Sequence, residues 1–167
     1  FAALDRLGPA FTWKTRFTTR AEIRQQTLHG DLHITGGGDP RLSRERLWLL
    51  LRDLRAQGIR RIAGDVVTDR SLFRLAPHDP AAFDQRPLRP YNVGADALTV
   101  DYGAIRLRVE PTADGASVRS DPLPAGLVIE SRIRRSEAGA CGDPTSQLSA
   151  STAQAGKVTK LSLSGSL

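Results

Sequence analysis

The spacing of hydrophobic positions predicts two helices in this chain. Phe1–Leu7 has apolar residues at helical spacing and is followed by Gly8-Pro9, which predicts a short helix. Leucines at positions 47, 50, 51 and 54 form the apolar stripe of an amphipathic helix, which we place over Ser43–Gln57. Gly58 follows directly and is a typical residue for a helix end.

Elsewhere, apolar and polar residues alternate over short segments, and this predicts strands. The segments are Phe11–Thr19, Gly30–Thr35, Ile62–Asp69, Ala97–Asp101, Ala104–Glu110, Ala116–Ser120, Leu127–Arg134 and Lys157–Ser164. A short polar turn separates the first two, so we expect them to pair as an antiparallel hairpin. In the third, the adjacent Val66 and Val67 predict burial on both faces.

Two segments predict loops rather than regular elements. Leu75–Gly94 contains prolines at positions 77, 80, 87 and 90, which interrupt helices and strands. Loops of this length are often functional. Thr145–Gly156 is rich in Ser, Thr, Ala and Gln with little hydrophobic pattern, and we expect a mobile loop there.

These elements predict an α+β, strand-rich fold: a small mixed sheet with a packed helix, followed by a mostly antiparallel β region. We expect residues 1–8 to be the end of a helix. Residues 9–94 would form a first subdomain with its helix at 43–57. Residues 95–167 would form a second, β-rich subdomain that includes the mobile loop at 145–156.

Composition narrows the function classes. The net charge of +6 is spread along the chain, and aromatic residues are only 5% of it, so the pattern does not favour nucleic-acid binding. No apolar run approaches the roughly 18 residues of a membrane span, and none is predicted. Cys141 is the single cysteine, and it is either a buried thiol or half of a bridge.

The sequence lacks the short motifs of nucleophilic catalysis. No Ser-x-x-Lys, Ser-x-Asn, Lys-Thr-Gly or Gly-x-Ser-x-Gly occurs in it. The glycine run at 36–38 is followed by Asp39-Pro40, where a phosphate loop needs Lys and a hydroxyl residue. His29 and His33 lie about 13 Å apart if they share a strand, so we predict no metal site and no cofactor. No residue of the chain is assigned a catalytic role.

Because the sequence begins at Phe1 without Met, we expect the chain to be a piece of a longer protein.

Three stretches together resemble the D-alanyl-D-alanine carboxypeptidase/endopeptidase family of penicillin-binding protein 4 (low-molecular-mass, class C). They are Gly30–Leu42, Gly58–Phe73 and Arg89–Asp101. Their order and spacing resemble the family from Phe1 to Arg134, and the segment from Leu161 to Ser166 is similar more loosely.

The resemblance implies a serine enzyme of the periplasm that acts on peptidoglycan stem peptides and binds β-lactams. Family members place their three catalytic motifs in one domain, with a large insertion between the first and second motif. This chain resembles the insertion, so we expect it to be inactive alone, with residues 1–8 belonging to the catalytic domain and the signal peptide outside the chain. The alternative is a stand-alone basic module that binds an anionic polymer of the cell envelope.

The resemblance also implies a substrate-contact loop. In the family an acidic residue of the insertion can face the amine of the diaminopimelate side chain, and Asp84 is the matching candidate, with Tyr91 as a further candidate for substrate contact. Arg86 and Arg89 are candidate partners for a substrate carboxylate. The alternative is that Asp84 and Arg89 only pin the loop. For Cys141 the resemblance implies a disulfide with a residue beyond the chain, and a free thiol is the alternative.

Overall fold

The computed structural model describes residues 1–135 and 147–167. The chain is α+β and strand-rich, as the sequence predicted, and it divides into two compact units, Phe1–Ala104 and Ile105–Leu167. The sequence placed this boundary at residue 94 instead. Residues 95–104 belong to the first unit because the N–H of Gly38 donates to the carbonyl of Ala97 at 2.9 Å, and the N–H of Asp101 to the carbonyl of Leu42 at 3.0 Å.

Both predicted helices are present, as α1 (Ala2–Leu7) and α2 (Arg44–Ala56). The α2 helix begins after Ser43, whose hydroxyl accepts from the N–H of Arg46 at 3.4 Å. Asp101 Oδ1 accepts from the N–H of Arg44 at 3.0 Å, which satisfies another free donor of the first turn. Among the described residues, neither helix has the length and apolar content needed to cross a membrane.

The first unit contains two small mixed sheets. The strands are β1 (Arg16–Thr18), β2 (Ile23–Arg24), β3 (Thr27–Leu28), β4 (Leu32–Thr35), β5 (Arg61–Ile62) and β6 (Val66–Asp69). Their orders are β1-β4-β6 and β2-β3-β5, each with one antiparallel and one parallel pairing. The antiparallel pairing of β1 with β4 confirms the predicted hairpin partners, although β1 is much shorter than Phe11–Thr19.

The core of the first unit is small. Leu28, Leu32 and Ile59 are buried, and Leu54 of α2 packs against them. The α2 helix has no buried residue of its own, however, and Leu51 of the predicted stripe is 44% exposed.

The prediction that β6 is buried on both faces is wrong. It lies at the edge of its sheet, and all four of its residues are exposed.

The glycine run marks a close crossing of backbone segments. A Cβ at Gly36 would lie 2.3 Å from the carbonyl oxygen of Ala97, and one at Gly37 would lie 2.1 Å from that of Lys14. Only glycine fits both positions.

The predicted strand over Ala97–Asp101 is wrong, because Asp101 (φ 51°) and Tyr102 (φ 59°) adopt the left-handed region and start a 3-10 turn.

The second unit is a hairpin with a three-stranded sheet. Its strands are β7 (Arg106–Thr112), β8 (Gly115–Asp121), β9 (Leu127–Arg134), β10 (Leu148–Ala155) and β11 (Val158–Ser166). β7 pairs antiparallel with β8, and the sheet order is β10-β11-β9, with β11 antiparallel to β10 and parallel to β9. Ile133, Leu161 and Leu163 form its buried core.

The expected mobile loop at 145–156 is corrected by the structure over most of its length. Residues 148–155 form β10, and each of them pairs with a residue of β11. The small Ser, Thr and Ala side chains gave no hydrophobic pattern, because the strand is held by its backbone rather than by buried side chains. Residues 145 and 146, and Cys141 with its proposed disulfide, lie outside the described residues.

The first unit should depend strongly on Leu28, which is fully buried. We expect Leu28→Ala to lower the free energy of unfolding by about 2–5 kcal/mol, since it removes core contacts and leaves a cavity. Both tryptophans, Trp13 and Trp48, lie in this unit, so their fluorescence during urea denaturation reports it. Leu75→Ala, at a 59% exposed position, is the control and should change little. Equal losses for the two variants would contradict the assigned core.

Candidate functional site

The proline-rich loop is organised around one buried amide. Asn92 is 6% exposed and ends a 3-10 turn over Pro90–Asn92. Its Nδ2 donates to Asp84 Oδ1 at 2.7 Å and to the carbonyl of Arg86 at 3.0 Å. Its carbonyl oxygen lies 2.8 Å from Nε2 of His78. A single side chain and its carbonyl therefore connect three points of a segment that has no strand.

Asp84 is bonded through both carboxylate oxygens. Oδ1 accepts from the N–H of Arg86 at 3.0 Å as well as from Asn92, and Oδ2 accepts from the hydroxyl of Tyr91 at 2.6 Å. The Tyr91 hydrogen bond is the largest influence on the pKa of Asp84 and holds it below its usual value. In turn, the bond to Asp84 raises the pKa of Tyr91. At neutral pH the pair is a carboxylate beside a neutral phenol.

The outer side of this loop is polar and accessible. Tyr91 is 63% exposed, and Arg86 and Arg89 are exposed as well. In the part of the chain that the structure describes, neither arginine side chain makes an ion pair. Of the four predicted site residues, the structure brings Asp84 and Tyr91 into contact and joins Arg86 through its backbone. The guanidinium of Arg89 is not hydrogen-bonded to them.

Two residues of this arrangement were missed by the sequence reasoning. Asn92 stabilises the loop from its buried position, and the exposed His78 contacts the Asn92 carbonyl through Nε2. The available signal was that Asn92, the single asparagine of the chain, directly follows Pro90-Tyr91 in a segment otherwise rich in proline. A side-chain amide offers donors and an acceptor, and a loop without backbone ladders needs such groups.

A second accessible surface lies beside the Phe11–Arg16 segment. Phe11 and Trp13 contact edge to face, with ring centroids 5.1 Å apart. A groove of about 470 Å³ separates Trp13 from Leu49 and Leu50 of α2. Trp13 is 49% exposed and Trp48 is 63% exposed. In the described ranges, no three His, Cys, Asp or Glu side chains come together in a way that could hold a metal ion.

The hydrogen bond from Tyr91 should be measurable in the titration of Asp84. We expect Tyr91→Phe to raise the pKa of Asp84 toward its ordinary value, because the largest stabilising contact of the carboxylate is removed. Carboxyl-detected NMR measures this, with Tyr102→Phe as the control, since Tyr102 is the other tyrosine of the chain. A lowered pKa means that the network stabilises the fold at neutral pH and loses this effect as pH falls through that pKa. An unchanged pKa in Tyr91→Phe would contradict the arrangement.

Comparison with known proteins identifies the relatives of this chain. D-alanyl-D-alanine carboxypeptidase DacB of Haemophilus influenzae is 38% identical over 78 residues, which are 47% of this chain and 16% of that protein. A D-alanyl-D-alanine carboxypeptidase of an Actinomadura species is 28% identical over 120 residues, which are 68% of this chain and 22% of that protein.

The crystal structure of penicillin binding protein 4 from Haemophilus influenzae has a similar fold, with a TM-score of 0.66 at 21% identity over 99% of this chain. A second structure of that protein, complexed with a β-lactam, gives a TM-score of 0.58 at 22% identity. The present chain covers 36% and 33% of those two structures, so it spans about a third of their length. The family model of D-Ala-D-Ala carboxypeptidase 3 (S13) matches residues 1–167. The chain therefore belongs to the D-Ala-D-Ala carboxypeptidase 3 (S13) family.

Proposed function

We propose that this chain is a non-catalytic insert region of a periplasmic serine D-Ala-D-Ala carboxypeptidase/endopeptidase that acts on peptidoglycan stem peptides. One combination of observations supports this most directly. The family match extends over the whole chain, yet Ser-x-x-Lys, Ser-x-Asn and Lys-Thr-Gly are all absent from it. In the parent protein a serine outside these residues would form the acyl-enzyme, and water would then hydrolyse it.

Exposed apolar side chains support the assignment to a larger protein. Leu4 and Leu7 of α1 and Phe1, which precedes the helix, are at least half exposed, and the helix has no buried residue. The groove at Trp13 and the exposed Trp48 add further apolar surface. Exposed apolar patches usually mark contact surfaces. We assign these faces to packing against the rest of the parent protein.

The loop around Asp84 has the charges required for a zwitterionic ligand. Asp84 Oδ1 accepts two hydrogen bonds and Oδ2 accepts one, which leaves an acceptor position on Oδ2 beside the exposed Tyr91. The exposed guanidiniums of Arg86 and Arg89 are suited to a carboxylate. A diaminopimelate side chain carries both an amine and a carboxylate. In this proposal Asp84 receives the amine, and the arginines receive the carboxylate.

Penicillin labelling tests whether the serine that is acylated lies outside this chain. We expect fluorescent penicillin to label the full-length gene product and to leave this 167-residue chain unlabelled, because acylation requires the Ser-x-x-Lys motif, which is absent from the chain. Covalent labelling of the chain alone would contradict the proposal. A different pair of results would instead favour the stand-alone basic module. Penicillin would fail to label the full-length gene product, and the 167-residue chain alone would bind cell-wall polymers in a salt-sensitive way.

The role of Asp84 is tested in the full-length protein with Asp84→Asn, which keeps the side-chain shape and removes the charge. We expect a loss of roughly 10- to 100-fold in kcat/KM on a diaminopimelate peptide, the effect of one hydrogen bond to a charged group. A peptide that lacks a charged side chain at that position should be turned over equally by both proteins.

Asp79→Asn is the matched control for this variant. Asp79 is exposed in the same loop and, like Asp84, accepts a hydrogen bond from the backbone N–H two residues further on. It should leave both substrates unaffected. Equal losses of Asp84→Asn on the two peptides would show a purely structural role and would contradict the substrate contact.

A further inference from the structure

Both donors of the Asn92 side-chain amide are used inside the loop. Its Nδ2 carries two hydrogens, and it donates to Asp84 Oδ1 at 2.7 Å and to the carbonyl of Arg86 at 3.0 Å. Reversing the amide would bring its oxygen against the same two acceptors, so only the observed orientation satisfies them. Because Asn92 is 6% exposed, water is largely excluded from both bonds. The amide is therefore fixed in one orientation.

Asn92 is the buried member of the three residues that bond the Asp84 carboxylate. The N–H of Arg86 lies two residues along the same turn, so it moves together with Asp84. Tyr91, which donates to Oδ2 at 2.6 Å, is 63% exposed. The terminal torsion of an aspartate side chain has only broad preferences, so the carboxylate turns easily. The bond from Asn92 therefore ties the plane of this carboxylate to the interior of the loop.

The same bond decides which carboxylate oxygen stays open to a ligand. Each oxygen has two lone pairs, and Oδ1 of Asp84 uses both, for Asn92 and for the N–H of Arg86. Oδ2 accepts from Tyr91 and keeps one position. Since the Tyr91 hydroxyl gives its proton to Asp84, it presents lone pairs to a ligand. An incoming amine therefore meets two acceptors at this end of the carboxylate and a saturated oxygen at the other end.

We propose that Asn92 is a positioning residue for the substrate amine, which it directs to Oδ2 of Asp84 by saturating Oδ1. This inference rests on the proposed contact between Asp84 and the diaminopimelate side chain. Asn92 does not touch the substrate, since it is buried and both of its donors are used. It acts through Asp84. Without Asn92, Oδ1 regains an acceptor position and the carboxylate is free to turn away from the amine.

Turnover by the full-length protein with Asn92→Leu tests this role. Leucine has a similar size and no donor, so it removes the bond and still fills the space. We expect kcat/KM on a diaminopimelate peptide to fall about 3- to 10-fold, the effect of one hydrogen bond. The change should lie mainly in KM, because the amine is bound alike before and during the reaction. A peptide without a charged side chain at that position should be turned over as by the wild type.

A double variant tests whether Asn92 acts through Asp84. Asp84→Asn removes the charge that the amine needs, so adding Asn92→Leu should cause no further loss on the diaminopimelate peptide. A further loss of about 3-fold or more would overturn the positioning role, because Asn92 would then act by another route.

The single variants separate failure of this inference from failure of the substrate contact. If Asp84→Asn causes no selective loss on the diaminopimelate peptide, the substrate contact is wrong and the positioning role falls with it. If Asp84→Asn is selective and the folded Asn92→Leu protein is not, the contact stands and the positioning role alone is overturned.

His78→Ala is the control for a general loosening of the loop. His78 is exposed and contacts the backbone carbonyl of Asn92 rather than its side-chain amide. The ratio of kcat/KM on the two peptides should therefore stay as in the wild type. An equal fall of this ratio in His78→Ala and Asn92→Leu would contradict the proposal, since loop order alone would then explain it.

Circular dichroism verifies the fold of each variant. If Asn92→Leu is misfolded, Asn92→Ser replaces it, because the shorter side chain cannot reach Asp84 and leaves room for water. The same selective loss is expected of it. A folded Asn92→Ser protein with the selectivity of the wild type would overturn the proposal.

The charge state of Asp84 provides a second readout. The bond from Tyr91 is the largest influence that lowers the pKa of Asp84, and the bond from Asn92 lowers it further, against the effect of burial. The charged groups nearby are Arg86, which also lowers this pKa, and Arg89, which acts on Tyr91. Losing the bond from Asn92 should therefore raise the pKa of Asp84.

The pH profile of turnover measures this change. Because the amine needs the ionised carboxylate, kcat/KM on the diaminopimelate peptide falls as the pH drops through the pKa of Asp84. In Asn92→Leu this fall should begin at a higher pH than in the wild type, whereas the profile with the uncharged peptide should be the same in both proteins. Coincident profiles of the two proteins on the diaminopimelate peptide would overturn the role of Asn92.

Discussion

The small number of buried side chains is the constraint on which the rest of this structure depends. Among the described residues, eight hydrophobic side chains are buried, and only six of them form core clusters, three in each unit. The strands of the first unit are two to four residues long. A core of this size cannot specify the path of long connecting segments by packing alone. Polar contacts and close backbone crossings therefore fix much of the chain.

Those contacts follow a common pattern. A short polar side chain satisfies backbone groups that have no partner in a helix or sheet. Asn92 does this in the proline-rich loop, Asp101 at the start of α2, and Asp31 by accepting from the N–H of Asp65 at 2.8 Å. At Gly36 and Gly37 the same need for compactness produces backbone contacts that a side chain would block.

The sequence predicted the elements that depend on local pattern. The α2 helix has its leucine stripe and its Ser43 cap, and β9 was predicted with the bounds that the structure has, Leu127–Arg134. Prediction from the sequence failed where tertiary contacts decide the structure. β10 has no hydrophobic alternation to detect, because β11 holds it through the backbone. The exposure of β6 depends on its place at the edge of a sheet, which alternation does not encode.

The candidate site was predicted in the same uneven way. Asp84 and Tyr91 were named together and do contact each other, whereas the contacts of Asn92 with Asp84 and with His78 depend on how the loop closes on itself. In the proposed function, the chain supplies a loop in which hydrogen bonds hold the Asp84 carboxylate in place, and the serine chemistry belongs to the remainder of the protein. Sequencing the gene on both sides of this segment tests that claim most directly. The proposal predicts Ser-x-x-Lys upstream of Phe1, with Ser-x-Asn and Lys-Thr-Gly downstream of Leu167. A reading frame that contains none of these motifs would contradict it.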